Sequence, residues 1–189
     1  LDSRGKRANR ESSATDIAAI ADAQRALEQR AAKEAGNQLQ AAGDSAGGNL
    51  AAVVAIALRD ADDAGDVGDA GAVPLAFQLL IYPATDMRAV APSHTSNAQG
   101  YVLTRDSIEY FRAHYLAPAQ YADWRASPLL HPDLSRLPPA LVITAGFDPL
   151  RDEGRQYADA LSAAGNSAQY VCFERQIHGF IPMGKLLDE

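Results

Sequence analysis

The chain has one cysteine, Cys172, among 189 residues. No internal disulfide can staple it, and no thiolate-rich metal site can be assembled from it. It also lacks any apolar run of about 18 residues, the length that marks a membrane-crossing helix, and no series of charged, apolar and small residues resembles a signal peptide. A cytoplasmic protein is the expectation. An excess of basic residues is missing too: Lys and Arg number 17 against 24 Asp and Glu, giving a net charge of −7. That balance argues against a phosphate-backbone partner, and hence against nucleic acid. Internal repeats are absent. What is present is 47% hydrophobic residues, enough to fill the core of one domain.

Hydrophobic patterning alternates between short apolar runs and helical periods. Residues 1–13 are polar, carry Arg4, Lys6, Arg7 and Arg10, and read as a frayed terminus. A helix is expected from Thr15, which can cap it, to Gly36, which stops it, with Ile17, Ile20, Leu27 and Ala31 on one face. A short strand, 38–42, precedes a helix over 49–59 that is apolar nearly all round and so expected to be largely buried. Residues 60–71 read as a solvated acidic loop. Strands buried on both faces are expected at 76–82 and 140–145, a helix at 151–164 stopped by Gly165 and Asn166, and a last strand at 168–173. This is the α/β pattern of a mostly parallel sheet with flanking helices. Residues 84–139 interrupt it as an insertion of the size that builds a cap or substrate pocket, with an amphipathic helix over 105–116.

The stretch Gly43-Asp44-Ser45-Ala46-Gly47-Gly48-Asn49-Leu50 joins the first of these strands to the first of these helices. G-x-S-x-G in that setting is a nucleophile elbow: a sharp turn lifts the serine hydroxyl above the sheet, and the next N–H, that of Ala46, can face a developing oxyanion. Gly43 and Gly47 are expected to leave room for the turn, with Gly48 supporting it. Asp44 flanks the serine and cannot serve it as a partner.

In a doubly wound sheet the chemistry gathers at the carboxyl ends of the strands. Ser45, Asp148 and His178 each follow an expected strand at that end, with His178 placed in a loop beyond the last one. A serine hydroxyl needs a base to take its proton, and an imidazole oriented by a carboxylate supplies one. Asp148 comes first after its strand and is preferred to Asp152, which reads as a helix cap or a solvated charge. His94, His114 and His131 precede Asp148 and read as surface or packing residues, leaving His178 as the base. The order Ser, Asp, His is that of the α/β-hydrolases.

GDSAGGNLAA, AFQLLIYPATD, GYVLTRDSIEYF, LPPALVITAGFDPLRDEG and IHGF together resemble the bacterial hormone-sensitive-lipase-like esterases, a branch of the α/β-hydrolases, over residues 38–189. The resemblance implies hydrolysis of short- to medium-chain carboxylic esters through an acyl-enzyme, without metal or organic cofactor. By motif, Ser45 is the nucleophile, Asp148 the acid and His178 the base, with Asp152 and Glu153 as structural neighbours. The family's His-Gly-Gly-Gly motif, which supplies most of the oxyanion hole, does not occur in residues 1–42. The chain thus reads as a C-terminal portion of the family fold without its earlier strands, an internal segment or processed product.

Three functions follow as expectations: a carboxylesterase, a non-catalytic hydrolase-like domain that binds a ligand or partner, or an acyltransferase or amidase using the same triad. Tyr101, Leu103, Ile108, Phe111, Tyr115 and Leu116 are candidates for the wall of an acyl pocket. Without its neighbours the strand before the elbow becomes an edge, so self-association, or pairing with the missing N-terminal half, is expected.

Overall fold

The computed structural model describes residues 39–65 and 75–184. The basic terminus, the helix expected over 15–36 and most of the glycine-rich part of the acidic loop lie outside the described residues. Two compact units are distinguished, one of Gln38–His178 and one of Leu1–Asn37 with Gly179–Glu189. In the second, the described part is a tight turn at Ile181–Met183 that follows Gly179.

The first unit is built on a four-stranded sheet in the order β1 (Leu39–Asp44), β2 (Leu75–Ile81), β3 (Ala140–Phe147), β4 (Ala168–Ile177). Every neighbouring pair is parallel. Parallel neighbours need crossovers, and helices α1 (Ala46–Ala64) and α4 (Arg151–Ala163) make two of them, between β1 and β2 and between β3 and β4. The third crossover holds the short helix α2 (Ser93–Ser96) and helix α3 (Arg105–Tyr115).

Period-2 alternation decides which face the core takes. Ala41, Leu80, Ala140 and Val142 point to one side and meet Ala52 and Ile56 of α1 and Tyr157, Ala158 and Leu161 of α4. Gln78 sits in the same row and is fully buried, its amide donating to the Pro138 carbonyl at 3.0 Å. β3 is buried along its length except at Phe147, as a strand covered on both faces should be, whereas in β2 only Gln78 and Leu80 are fully buried.

Several boundaries depart from the sequence reading, each for a local reason. β1 runs on through Gly43 and Asp44, because the reversal is concentrated in Ser45 alone, and α1 starts at the very next residue. That helix continues through Asp60–Asp63, which were expected in a loop. Arg59 bonds Asp60 at 2.7 Å and reaches the Asp133 carbonyl, His131 lies 3.2 Å from Asp60, and Arg136 pairs with Asp63, so the acidic residues tie α1 to the end of the insertion. Gly65, at φ 72°, ends the helix. Nor is α1 buried all round. Ala51, Ala52, Ala55 and Ile56 are buried, while Leu50, Val54 and Leu58, four residues apart, are 53%, 47% and 37% exposed. Finally, β4 extends past the expected 173 to Ile177, so His178 is the first residue of the turn beyond the strand; the added residues are accommodated by a register irregularity opposite Ala145–Phe147.

Candidate active site

The elbow forms because two backbone stretches come too close for side chains. A Cβ on Gly43 would lie 2.3 Å from the carbonyl of Gly47, and one on Gly48 would lie 2.9 Å from Pro83 Cβ. At Gly47 the nearest atom would be 3.9 Å away, an ordinary contact. The glycines that the turn requires are therefore Gly43 and Gly48, not the Gly43 and Gly47 pair expected from the motif. Ser45 adopts φ 52° and ψ −117°, a region costing an L-residue about 1–3 kcal/mol. Its N–H donates to the Ile81 carbonyl at 2.9 Å, and its own carbonyl accepts from Asn49 N at 3.1 Å, so the neighbouring strand β2 and the first turn of α1 hold it in place.

The parallel sheet delivers three side chains to one place. Ser45 follows β1, Asp148 follows β3 and His178 follows β4. Ser45 Oγ lies 3.0 Å from His178 Nε2, and His178 Nδ1 lies 2.7 Å from Asp148 Oδ2. Asp148 is fully buried and its other oxygen accepts the Leu150 N–H at 2.8 Å. With both oxygens acting as acceptors, the ring proton belongs on His178 Nδ1, leaving the lone pair of Nε2 toward the serine hydroxyl. Tyr82 packs its ring 4.6 Å from that of His178. Burial, with the charges of Asp44 and Asp148 adding to it, pushes the Tyr82 hydroxyl up to about 12, so it stays neutral beside the imidazole. Burial also pushes the half-buried Cys172 thiol up, which disfavours a competing thiolate.

The remaining sequence candidates are dispersed. Ala46, the first residue of α1, has an N–H without an intrahelical acceptor, as every helix start does. Asp44 is exposed, and Asp152 pairs with Arg151 at 2.7 Å. Tyr101 stacks on Phe147 at 5.1 Å, next to Asp148 in sequence, and Leu103 is half-buried. Phe111 and Tyr115 are 63% and 57% exposed on α3, a helix that buries none of its residues. Among the described residues no cluster of His, Cys, Asp and Glu could hold a metal ion, and no helix is long and apolar enough to cross a membrane.

Two buried features escaped the sequence reading. Asn49, next to the elbow glycines, donates to the carbonyls of Ala84 at 2.7 Å and Ala126 at 2.8 Å, pinning the loop after β2 to the start of α1. His94 is buried against Glu153, with Nε2 2.5 Å from Oε2. An asparagine directly after a glycine elbow, facing no solvent, is a signal that could have been weighed; the pairing of residues 94 and 153 leaves no trace in local pattern.

A family model described as an alpha/beta hydrolase fold matches residues 12–182. Over 146 residues the chain is 44% identical to the carboxylic ester hydrolase LipN of Mycobacterium tuberculosis, covering 76% of this chain and 38% of that protein. It is 36% identical over 153 residues to the ethyl acetate hydrolase of Pseudomonas putida, covering 80% of this chain and 46% of the relative. Among solved structures, LAE6, an α/β-hydrolase enzyme from the metagenome of Lake Arreo, Spain, matches with a TM-score of 0.66 at 45% identity, over 78% of this chain and 46% of that one. The chain spans less than half the length of each of these relatives.

Proposed function

The chain belongs to the α/β-hydrolase fold family, on its hormone-sensitive-lipase-like esterase branch, and from that membership we propose that it carries the reaction centre of a serine carboxylesterase. The observation that carries this reading is the continuous relay from Ser45 Oγ to His178 at 3.0 Å and on to Asp148 at 2.7 Å. A purely ligand-binding role would have no use for a serine held in a strained turn against a basic nitrogen.

In the reaction, Ser45 Oγ bonds to the ester carbonyl carbon while its proton passes to His178 Nε2. The carbonyl oxygen becomes an oxyanion facing the Ala46 N–H at the positive end of α1. The tetrahedral adduct collapses, and the alcohol leaves with the proton from Nε2, giving an acyl-serine. Water then adds to the acyl carbon, giving up its proton to Nε2. The acid leaves and Ser45 recovers its hydrogen. Asp148 keeps Nδ1 protonated and offsets the imidazolium charge; it does not itself take the proton.

Short- to medium-chain esters are the substrates we assign, supported by the ethyl acetate hydrolase among the relatives. We further propose that β1, which pairs on one side only among the described residues, takes up another strand, from a second copy or from the remainder of a whole enzyme. A monodisperse monomer of these 189 residues alone, by light scattering, would overturn the association between copies.

The central assignment is tested by intact-mass analysis after treatment with a fluorophosphonate. The serine oxygen–phosphorus bond forms as fluoride leaves, so one adduct is expected on the chain and none on Ser45→Ala. Labelling that survives the substitution would remove Ser45 from the mechanism.

A further inference from the structure

The turn that carries Asp148 is tied only in part by its own sequence: Arg151 donates its N–H to the Asp148 carbonyl at 3.2 Å and its guanidinium to the Gly146 carbonyl at 3.1 Å. Helix α4 follows at once, and the residue at its N-cap is Leu150, which has no side-chain oxygen to accept the free N–H groups of the first turn. Gly146, Asp148 and Pro149 are all buried, where a polar group left short of partners is costly.

The further partners come from α2 and the residue after it, some fifty positions earlier. Ser93 Oγ donates to the Pro149 carbonyl at 2.6 Å and accepts the Asp152 N–H at 3.1 Å, acting as the cap that Leu150 cannot be. Asn97 Nδ2 donates to the carbonyls of Asp148 at 3.1 Å and Gly146 at 3.2 Å. Between them, His94 Nε2 meets Glu153 Oε2 at 2.5 Å. The other Glu153 oxygen accepts the N–H groups of Thr85 at 2.7 Å and Asp86 at 3.2 Å, and Thr85 Oγ1 donates to the Glu153 carbonyl at 2.9 Å. Ser93, His94 and Asn97 are all buried, and each makes its bonds to the stretch between Gly146 and Glu153.

We propose that Ser93, His94 and Asn97 are positioning residues for Asp148. They fix the backbone on which its carboxylate is carried, so that Oδ2 meets His178 Nδ1 and the imidazole faces Ser45 with its lone pair. None of them touches the reacting atoms. The inference rests on the reading of Asp148 and His178 as partners of Ser45. Its physical content is that a hydrogen bond of 2.7 Å donated by His178 Nδ1 to a buried carboxylate tolerates little displacement of the turn beneath that carboxylate.

The test measures, in the full chain, the rate of Ser45 phosphonylation by a fluorophosphonate as a function of probe concentration. Wild type, Ser93→Ala and Asn97→Ala are compared at a temperature at which circular dichroism shows each of them folded. The saturating rate is expected to fall by about 10- to 100-fold with the half-saturating concentration unchanged, and the low-field proton resonance of His178 Nδ1 should shift or vanish. Ser93→Thr, which keeps the hydroxyl, should recover rate. A wild-type saturating rate and an unmoved resonance in the folded variants would overturn the inference while leaving Ser45 as nucleophile. A wild-type chain labelled elsewhere than Ser45 would overturn the underlying reading, and the inference with it.

Discussion

Among the described residues of this unit two histidine–carboxylate pairs are buried on both sides, unlike His131 with the half-buried Asp60, and side by side they are nearly the same object. His178 meets Asp148 at 2.7 Å and His94 meets Glu153 at 2.5 Å. All four side chains are buried, and in both pairs one carboxylate oxygen also accepts backbone N–H groups. The difference is at the far side of the ring. His178 Nε2 faces the half-buried hydroxyl of Ser45 at 3.0 Å, whereas His94 Nδ1 is buried with no hydrogen-bond partner. A buried imidazole–carboxylate pair is therefore no sign of catalysis in itself. The second nitrogen decides: with a hydroxyl and solvent before it the pair can move a proton, and with neither it can only hold parts of the chain together.

The sharpest way to separate the pairs is to remove each histidine in turn. His178→Ala should lower ester hydrolysis by about 10⁴-fold or more, since the base and the orienting bond go together, and Asp148→Asn should cost about 10⁴-fold by favouring the wrong tautomer. His94→Ala should act first on stability. It leaves Glu153 buried opposite a cavity, and breaking such a pair costs about 3–5 kcal/mol. Urea denaturation and steady-state hydrolysis of one short-chain ester, measured on the same preparations, give both axes. If His94→Ala proves as stable as wild type, the holding role assigned to that pair fails.

The sequence disclosed the first pair because its members are punctuated. Ser45 lies in a glycine elbow, Asp148 directly follows the run ALVITAGF, and His178 sits in a short motif before Gly179 and Phe180. The order of strands and helices is equally legible, since buried parallel strands and amphipathic helices write their periods into the chain. What could not be read is tertiary. His94 looks like any histidine of a polar loop until α2 brings it to Glu153. Gly48 has no visible reason to outrank Gly47 until Pro83 is seen beside it. The exposed row of Leu50, Val54 and Leu58 reads as buried because composition reports apolar character and not what covers it.

A gentler contrast sets Tyr101 against the aromatics of α3. Tyr101 is half-buried and stacked on Phe147, while Phe111 and Tyr115 stand in solvent. Phe111→Ala should change stability by no more than about 0.5 kcal/mol, as exposed substitutions usually do. If α3 limits the acyl chain, the same substitution should still alter the ratio of hydrolysis of short and long p-nitrophenyl esters. An unchanged ratio in an active preparation would remove α3 from the pocket.

The smallest effect expected is a slope. Burial raises Glu153 above its ordinary value of 4.5, with the His94 contact and the N–H groups of Thr85 and Asp86 pulling the other way. A carboxyl whose folded value is raised binds its proton more tightly in the folded than in the unfolded chain. As pH climbs above that ordinary value the unfolded state releases the proton first, so this group's contribution to stability is present at low pH and is lost as pH rises toward the raised value. Glu153→Gln cannot titrate. The advantage of wild type over Glu153→Gln, read as the difference in melting temperature across a pH series from acid to neutral, should therefore shrink as pH rises. Parallel profiles would mean that Glu153 holds its proton no more tightly in the folded chain than in the unfolded one. The backbone N–H groups and His94 would then balance the effect of burial on that carboxyl.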